Sequence, residues 1–249
     1  MIQITNLTKK YGNNTIIETL NLKIDSGQTY CLLGKNGVGK TTLINLILDL
    51  IVLDNGSIKL LGKEHTKLDS SDKKRIGAVV ENLSLIEEIS GLEFLLFVGK
   101  IYKMPLDILK KRIADLFQYF FEEESDLKKN ISKYSTGMKK KLAFCAAVIH
   151  TPDILILDEP FSGLDPLVAN QMVLFLNKYK RADRVIFISS HDLTYVEKVA
   201  TQIGVLDSKN LILNSTLLDF TQNGEKALDS ALLKILRPNV TELEKIDWV

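Results

Sequence analysis

Only two cysteines occur, Cys31 and Cys145, each inside an apolar run, far apart and without metal-ligand spacing. That excludes a disulfide framework and a cysteine-held metal, and reads as two core residues of a reducing compartment. An excess of one charge is also lacking: 32 Lys and Arg stand against 31 Asp and Glu, a formal net charge of +1. No field therefore points to nucleic acid as a partner. The one basic run, Lys139-Lys140-Lys141, reads as a solvated helix face. No apolar run approaches the ~20 residues that span a bilayer, and the start does not resemble a signal peptide. The expectation is a soluble chain that reaches a membrane only through a partner. What is present is 249 residues, 45% hydrophobic and 25% charged, enough for a full core in one large domain or two small ones.

The most informative stretch runs from Gly34 to Thr42: Gly34-Lys35-Asn36-Gly37-Val38-Gly39-Lys40-Thr41-Thr42. Two glycines at this spacing before Lys and Thr match a phosphate-binding loop. Thr29 to Leu33 before it reads as a buried strand. Leu43, Ile44, Leu46, Ile47 and Leu50 after it recur at helical spacing. In a strand-loop-helix setting the glycines let successive N–H groups converge on phosphate oxygens at the positive end of the new helix. Lys40 would hold the β and γ phosphates of a nucleoside triphosphate, and Thr41 would offer its hydroxyl to Mg²⁺.

Taken in order, Ile2 and Ile4, then Leu20, Leu22 and Ile24, predict strands of an antiparallel layer, with Tyr11-Gly12-Asn13 between them. An aromatic in a turn near such a site can stack on a purine. Asn55-Gly56 between apolar runs predicts a hairpin in the same layer, Thr66 to Lys74 a polar connector, and Ile76 to Val80 a buried strand ending on Glu81. From Ser84 to about Asn130 the pattern turns helical. Ser90 with Glu93 forms a capping box, and Leu109, Ile113, Leu116, Phe117 and Phe120 make an apolar stripe.

A further helix opens at Tyr134-Ser135-Thr136-Gly137-Met138 and is broken at Thr151-Pro152. The buried run Ile154 to Leu157 then ends in Asp158-Glu159-Pro160, where two adjacent carboxylates can reach different targets, one the Mg²⁺ shell and the other an attacking water. Val185 to Ser190 predicts another buried strand with His191 at its end, placed to contact a γ-phosphate. No Asn-Lys-x-Asp guanine reader occurs, since Asn177-Lys178 is followed by Tyr179-Lys180. That disfavours a GTPase switch.

This set of motifs, from Met1 to roughly Ser215, resembles the ATP-binding subunit of an ABC transporter. The resemblance implies an α/β fold: a P-loop NTPase core with a mostly parallel sheet, an antiparallel β subdomain and an inserted α-helical subdomain at about 84–150 that could move. Residues 1–215 would form the ATPase domain and 216–249 a C-terminal helical extension, in which Leu228, Ala231, Leu232, Ile235 and Leu236 are expected to pack on the chain's own core. Gly34 to Thr42 is similar to the Walker A loop, Ile154 to Asp158 to Walker B, Glu159 to the general base, Tyr11 to the adenine-stacking aromatic and His191 to the switch histidine. Ser162 to Asp165 resembles the D-loop. Ser135 and Gly137 match the signature that contacts the γ-phosphate held by a second subunit in a head-to-tail dimer. Glu81 stands where the family usually has Gln, Thr136 replaces a glycine and Met138 a Gln. The Tyr-Ser-x-Gly-Met form resembles the subgroup working with ABC-2-type permeases, often exporters of drugs, antimicrobial peptides or polysaccharides.

The implied function is hydrolysis of ATP with Mg²⁺, Thr41, Glu81 and Asp158 standing around the metal, to drive a membrane permease subunit from its cytoplasmic face. The implied assembly is a homodimer or a heterodimer with a paralogue. A soluble ATPase of the same superfamily, acting in assembly or maintenance, is the alternative; members with coiled coils would need long heptad insertions, which this chain lacks.

Overall fold

Residues 1–81 and 85–236 are described in the computed structural model. In chain order the elements are β1 (Ile2–Tyr11), β2 (Asn14–Ile24), β3 (Thr29–Leu33), α1 (Lys40–Ile47), β4 (Asn55–Leu60), β5 (Lys63–Glu64), α2 (Ser70–Lys73), β6 (Ile76–Val79), α3 (Gly91–Ile101), α4 (Leu106–Phe120) and α5 (Thr136–Val148). After these come β7 (Ile154–Asp158), α6 (Pro166–Tyr179), β8 (Val185–Ser190), α7 (Leu193–Val199), β9 (Gln202–Asp207), β10 (Asn210–Thr216), α8 (Leu217–Phe220) and α9 (Leu228–Leu236). The expected opening of the helical segment at Ser84, and the part of the expected C-terminal extension beyond Leu236, lie outside the described residues.

The continuous apolar runs become β3, β7 and β8, buried along their whole length. Unbroken hydrophobic runs are what a parallel sheet covered on both faces requires. They sit in a six-stranded sheet of order β10-β9-β3-β8-β7-β6, in which neighbours from β9 to β6 run parallel and β10 closes the edge antiparallel. Alternate residues face opposite ways. Cys31, Leu33, Leu155, Leu157, Ile186 and Ile188 join a core built with the helices. Tyr30, Leu32, Ile154, Ile156, Val185 and Phe187 join one built with α1 and the antiparallel strands. Both cysteines are free and buried, as their settings imply.

The antiparallel layer forms a second sheet, β2-β1-β4-β5. The hairpin expected at Asn55-Gly56 is not there. Those residues open β4, whose partner is β1, with Thr8 opposite Asn55. Gly56 instead marks a backbone crossing: its φ is +93°, and a Cβ would lie 2.4 Å from the Asn6 carbonyl oxygen. The turn falls later, at Leu61 and Gly62, both at positive φ, the twist a two-residue hairpin needs. The connector expected at Thr66 to Lys74 carries α2, capped by Asp69 and Asp72 in a capping box. Leu50 lies beyond the end of α1 and is exposed. The β9–β10 pair was not anticipated.

Between β6 and β7 come the helices. Ser90 and Glu93 make the expected capping box of α3, and all five stripe residues of α4 are buried. The Phe117 and Phe121 rings stack with centroids 3.9 Å apart. Leu142, Phe144 and Cys145 of α5 continue this core onto the sheet. Leu228, Ala231 and Leu232 of α9 are buried as well, Leu228 and Leu232 in the same cluster, so this helix packs on the chain itself.

Truncating Leu155, fully buried in the sheet, to Ala should cost about 2–5 kcal/mol in urea unfolding. Leu174→Ala, at a position 63% exposed, should change stability by less than about 0.5 kcal/mol. Equal effects would contradict this placement of the core.

Candidate functional site

In a parallel sheet the loops that build a site gather at the carboxyl ends of the strands. Here the loop after β3, Asp158 and Glu159 at the end of β7, Glu81 after β6 and His191 after β8 meet around a cleft of 480 Å³. Asn36, Gly37, Gly39, Lys40, Thr41 and Thr42 line it. Gly39 caps α1 at φ +115°, a conformation L side chains rarely adopt. That turn aims the first N–H groups of α1 at the cleft. Gly34, Lys35 and Val38 shape the loop from behind: the Lys40 ammonium donates to the Gly34 carbonyl at 2.8 Å and to the Lys35 carbonyl at 3.3 Å.

Lys40 is only 6% exposed, and its Nζ lies 3.3 Å from Glu159 Oε1. That oxygen is buried and has no aligned hydrogen-bond donor, so the contact is one of charge rather than a directed bond. Glu159 Oε2 is 2.8 Å from His191 Nδ1. The Glu159 N–H donates to the Ser189 hydroxyl at 3.0 Å. The backbone of Glu159 takes φ +46°, a region that costs a non-glycine residue of order 1 kcal/mol or more. Strain of this kind gathers where a side chain must be aimed.

Asp158 is almost wholly buried. Its Oδ1 accepts from the Ser189 hydroxyl, directly opposite in register, while Oδ2 has no hydrogen-bond partner. Burial raises its pKa, the Ser189 and Thr41 hydroxyls oppose the rise, and the Glu81 and Glu159 charges add to it. The Thr41 hydroxyl also lies 3.5 Å from Glu81 Oε2. Hard oxygen donors with an orphaned buried carboxylate oxygen fit a small divalent cation. Among the described residues no three His, Cys, Asp or Glu side chains converge to hold an ion alone. This is the pattern of Mg²⁺, which takes one or two carboxylates and completes its shell with water and phosphate oxygens.

Three expected residues stand apart from this cluster. Tyr11 projects from the β1–β2 turn, 52% exposed, with Lys9 Nζ 5.0 Å from its ring centroid. It does not line the cleft; Ile16 of β2 does. Ser135 caps α5, its hydroxyl accepting from the Met138 N–H at 3.2 Å. It is exposed, and Gly137 sits in the first turn beyond it.

Ser189, buried behind Asp158, and Lys140, in the cleft wall, had no site role in the sequence reading. Ser189 has no motif of its own; its signal is a hydroxyl paired in register with Asp158. Lys140 lines the cleft, so the expectation of a uniformly solvated lysine run is corrected: consecutive helix residues point about 100° apart.

The family described as ABC transporter matches residues 17–162. The chain is 32% identical over 227 residues to the Bacitracin transport ATP-binding protein BcrA of Enterococcus faecalis, an overlap that covers 91% of this chain and 72% of that protein. It is 31% identical to the Lantibiotic transport ATP-binding protein SrtF of Streptococcus pyogenes, over 94% of this chain and 98% of that one. Among solved structures, an ATP binding subunit of an ABC transporter superposes with a TM-score of 0.86 at 26% identity, over 95% of this chain and 100% of that one.

The raised pKa of Asp158 carries a sign. The folded state holds the proton more tightly than the unfolded chain, so ionisation costs stability as pH climbs from the ordinary aspartate value of 3.8 through the folded pKa. Asp158→Asn should therefore melt at a higher temperature than the natural sequence at pH 7 without added Mg²⁺ or nucleotide. An unchanged or lower midpoint would contradict this electrostatic picture.

Proposed function

Because this chain belongs to the ABC transporter family, as one of its ATP-binding subunits, we propose that it hydrolyses ATP with Mg²⁺ as a dimer and drives a membrane permease that exports an antimicrobial peptide or related compound. The reading has its main support in one observation: the phosphate loop, two strand-end carboxylates and a histidine share a single cleft at the carboxyl edge of the sheet. The names of the relatives, for bacitracin transport and lantibiotic transport, support the substrate class. Among the described residues no helix is long and apolar enough to cross a membrane, which leaves the channel to another chain. The subunit would then lie on the cytoplasmic face, held there by its permease.

The chemistry follows from the side chains. Lys40 would hold the β and γ phosphates, in competition with Glu159 for the same ammonium. A phosphate that takes over Lys40 leaves Glu159 Oε1 free to accept a proton from water, while His191, 2.8 Å from Oε2, keeps the carboxylate aimed. Thr41, Asp158 and Glu81 would stand around Mg²⁺, which when bound supplies positive charge to the developing phosphoryl oxygens. Gly37, Gly39 and the start of α1 would cradle phosphate with their N–H groups. Tyr11 would stack on adenine from the turn beside the cleft.

Ser135 and Gly137 open a helix on an exposed face, away from their own phosphate loop. Such a start makes an anion site, and a second copy in head-to-tail contact would bring it to the outer side of the γ-phosphate. Nucleotide would then join two subunits, a homodimer or a pair with a paralogue. Residues 1–215 would act as the ATPase domain, with the helical subdomain of about 84–150 as the part that moves against the permease and 216–249 as a C-terminal extension.

Lys40→Ala should lower ATP turnover by about 10²-fold or more, and Glu159→Gln should accumulate an ATP-bound dimer on a sizing column. Purification from detergent-solubilised native membranes should recover a multi-span protein. Unchanged turnover in Lys40→Ala, or consistent recovery of soluble partners only, would overturn the proposal.

A further inference from the structure

The three lysines at the start of α5 separate completely. Lys139 Nζ pairs with Glu87 Oε1 at 2.5 Å. Lys141 Nζ lies over the Phe121 ring, 4.6 Å from its centroid. Lys140 turns into the cleft, donates to the Ser162 carbonyl, and shares the lining with Glu81, Asp158, Glu159 and His191.

Carboxylates outnumber ammonium groups in that cleft, and the excess would be larger without Lys140. Three carboxylates, Glu81, Asp158 and Glu159, face two ammonium groups, Lys40 and Lys140. Lys40 is engaged by Glu159. Glu81 forms no ion pair within 4 Å among the described residues and receives only the distant Thr41 hydroxyl. A polyphosphate entering the cleft would meet that unpaired carboxylate. Lys140 is the remaining cation, partly buried, its charge disfavoured by desolvation and favoured by Glu159 and Glu81. Its bond to the Ser162 carbonyl gives the charge a fixed position and ties α5 to the loop that follows Glu159.

We propose that Lys140 is a positioning residue whose ammonium offsets Glu81 within the cleft, so that a carboxylate can stand beside a bound Mg·polyphosphate. The inference builds on the ATPase reading of this site but concerns a pair of residues that the reading leaves without a shared role. Removing one member shifts the net charge of the cleft by one; removing both leaves it as it is in the natural sequence.

The test is a double-mutant cycle of the full chain: natural sequence, Lys140→Met, Glu81→Gln and the double variant. It is read as the Kd for Mg·ADP by calorimetry and as kcat/KM for Mg·ATP. Lys140→Met should weaken Mg·ADP about tenfold, and in the Glu81→Gln background the same change should cost less than about twofold. Lys140→Arg should stay within about threefold of the natural sequence, because it keeps the charge. Equal losses in both backgrounds, or no loss in Lys140→Met, would overturn the proposal. Lys140→Gln replaces Lys140→Met if the latter does not fold, as judged by its melting transition. Absent ATP turnover by the natural sequence would count against the ATPase reading alone, since the Mg·ADP cycle still reads the charge pair.

Discussion

A buried ammonium organises this molecule. Lys40 sits at 6% exposure at the edge of a close-packed core, where an isolated charge would be prohibitively costly. Two loop carbonyls and Glu159 make it tolerable. Satisfying it requires the loop after β3 to curl over the ammonium and β7 to end beside it. It also accompanies a backbone at Glu159 turned to positive φ. The parallel sheet delivers these parts together because β3, β8 and β7 are neighbours in register, with Asp158 opposite Ser189. The same contacts that hold Lys40 are those a phosphate would exchange with, so the interaction that stabilises the site is also the one that function would disturb.

Much of this was legible in the sequence because it is local. A phosphate loop is a contiguous run whose glycines, lysine and threonine act within a few residues of each other, and the buried strands were marked by unbroken apolar runs. The capping box at Ser90 and the stripe on α4 were legible for the same reason. Asn55-Gly56 misled because the dipeptide marks a positive-φ backbone without saying what the chain does there: Gly56 is needed for close approach to Asn6, and the reversal is left to Leu61-Gly62.

What was not legible depends on which elements become neighbours. Three adjacent lysines look alike as letters, but the helix sends one to Glu87, one to an aromatic ring and one into the cleft. Ser189 matters only because β8 lies beside β7. Tyr11 was singled out as a stacking aromatic, yet it stands exposed outside the cleft, whose lining includes Ile16 instead. Clustered carboxylates at one sheet edge create a need for positive charge that Lys40 and Lys140 meet only in part, and the orphaned Asp158 oxygen is where the remaining need is greatest.

The central claim is that this carboxylate edge and the phosphate loop together hold a divalent ion against a nucleotide phosphate. Electron paramagnetic resonance with Mn²⁺ in place of Mg²⁺ tests it most directly. In the presence of ADP, bound Mn²⁺ should show phosphorus hyperfine coupling and release that signature when Thr41 is changed to Val. Bound Mn²⁺ without phosphorus coupling, or coupling unaffected by Thr41→Val, would contradict the account.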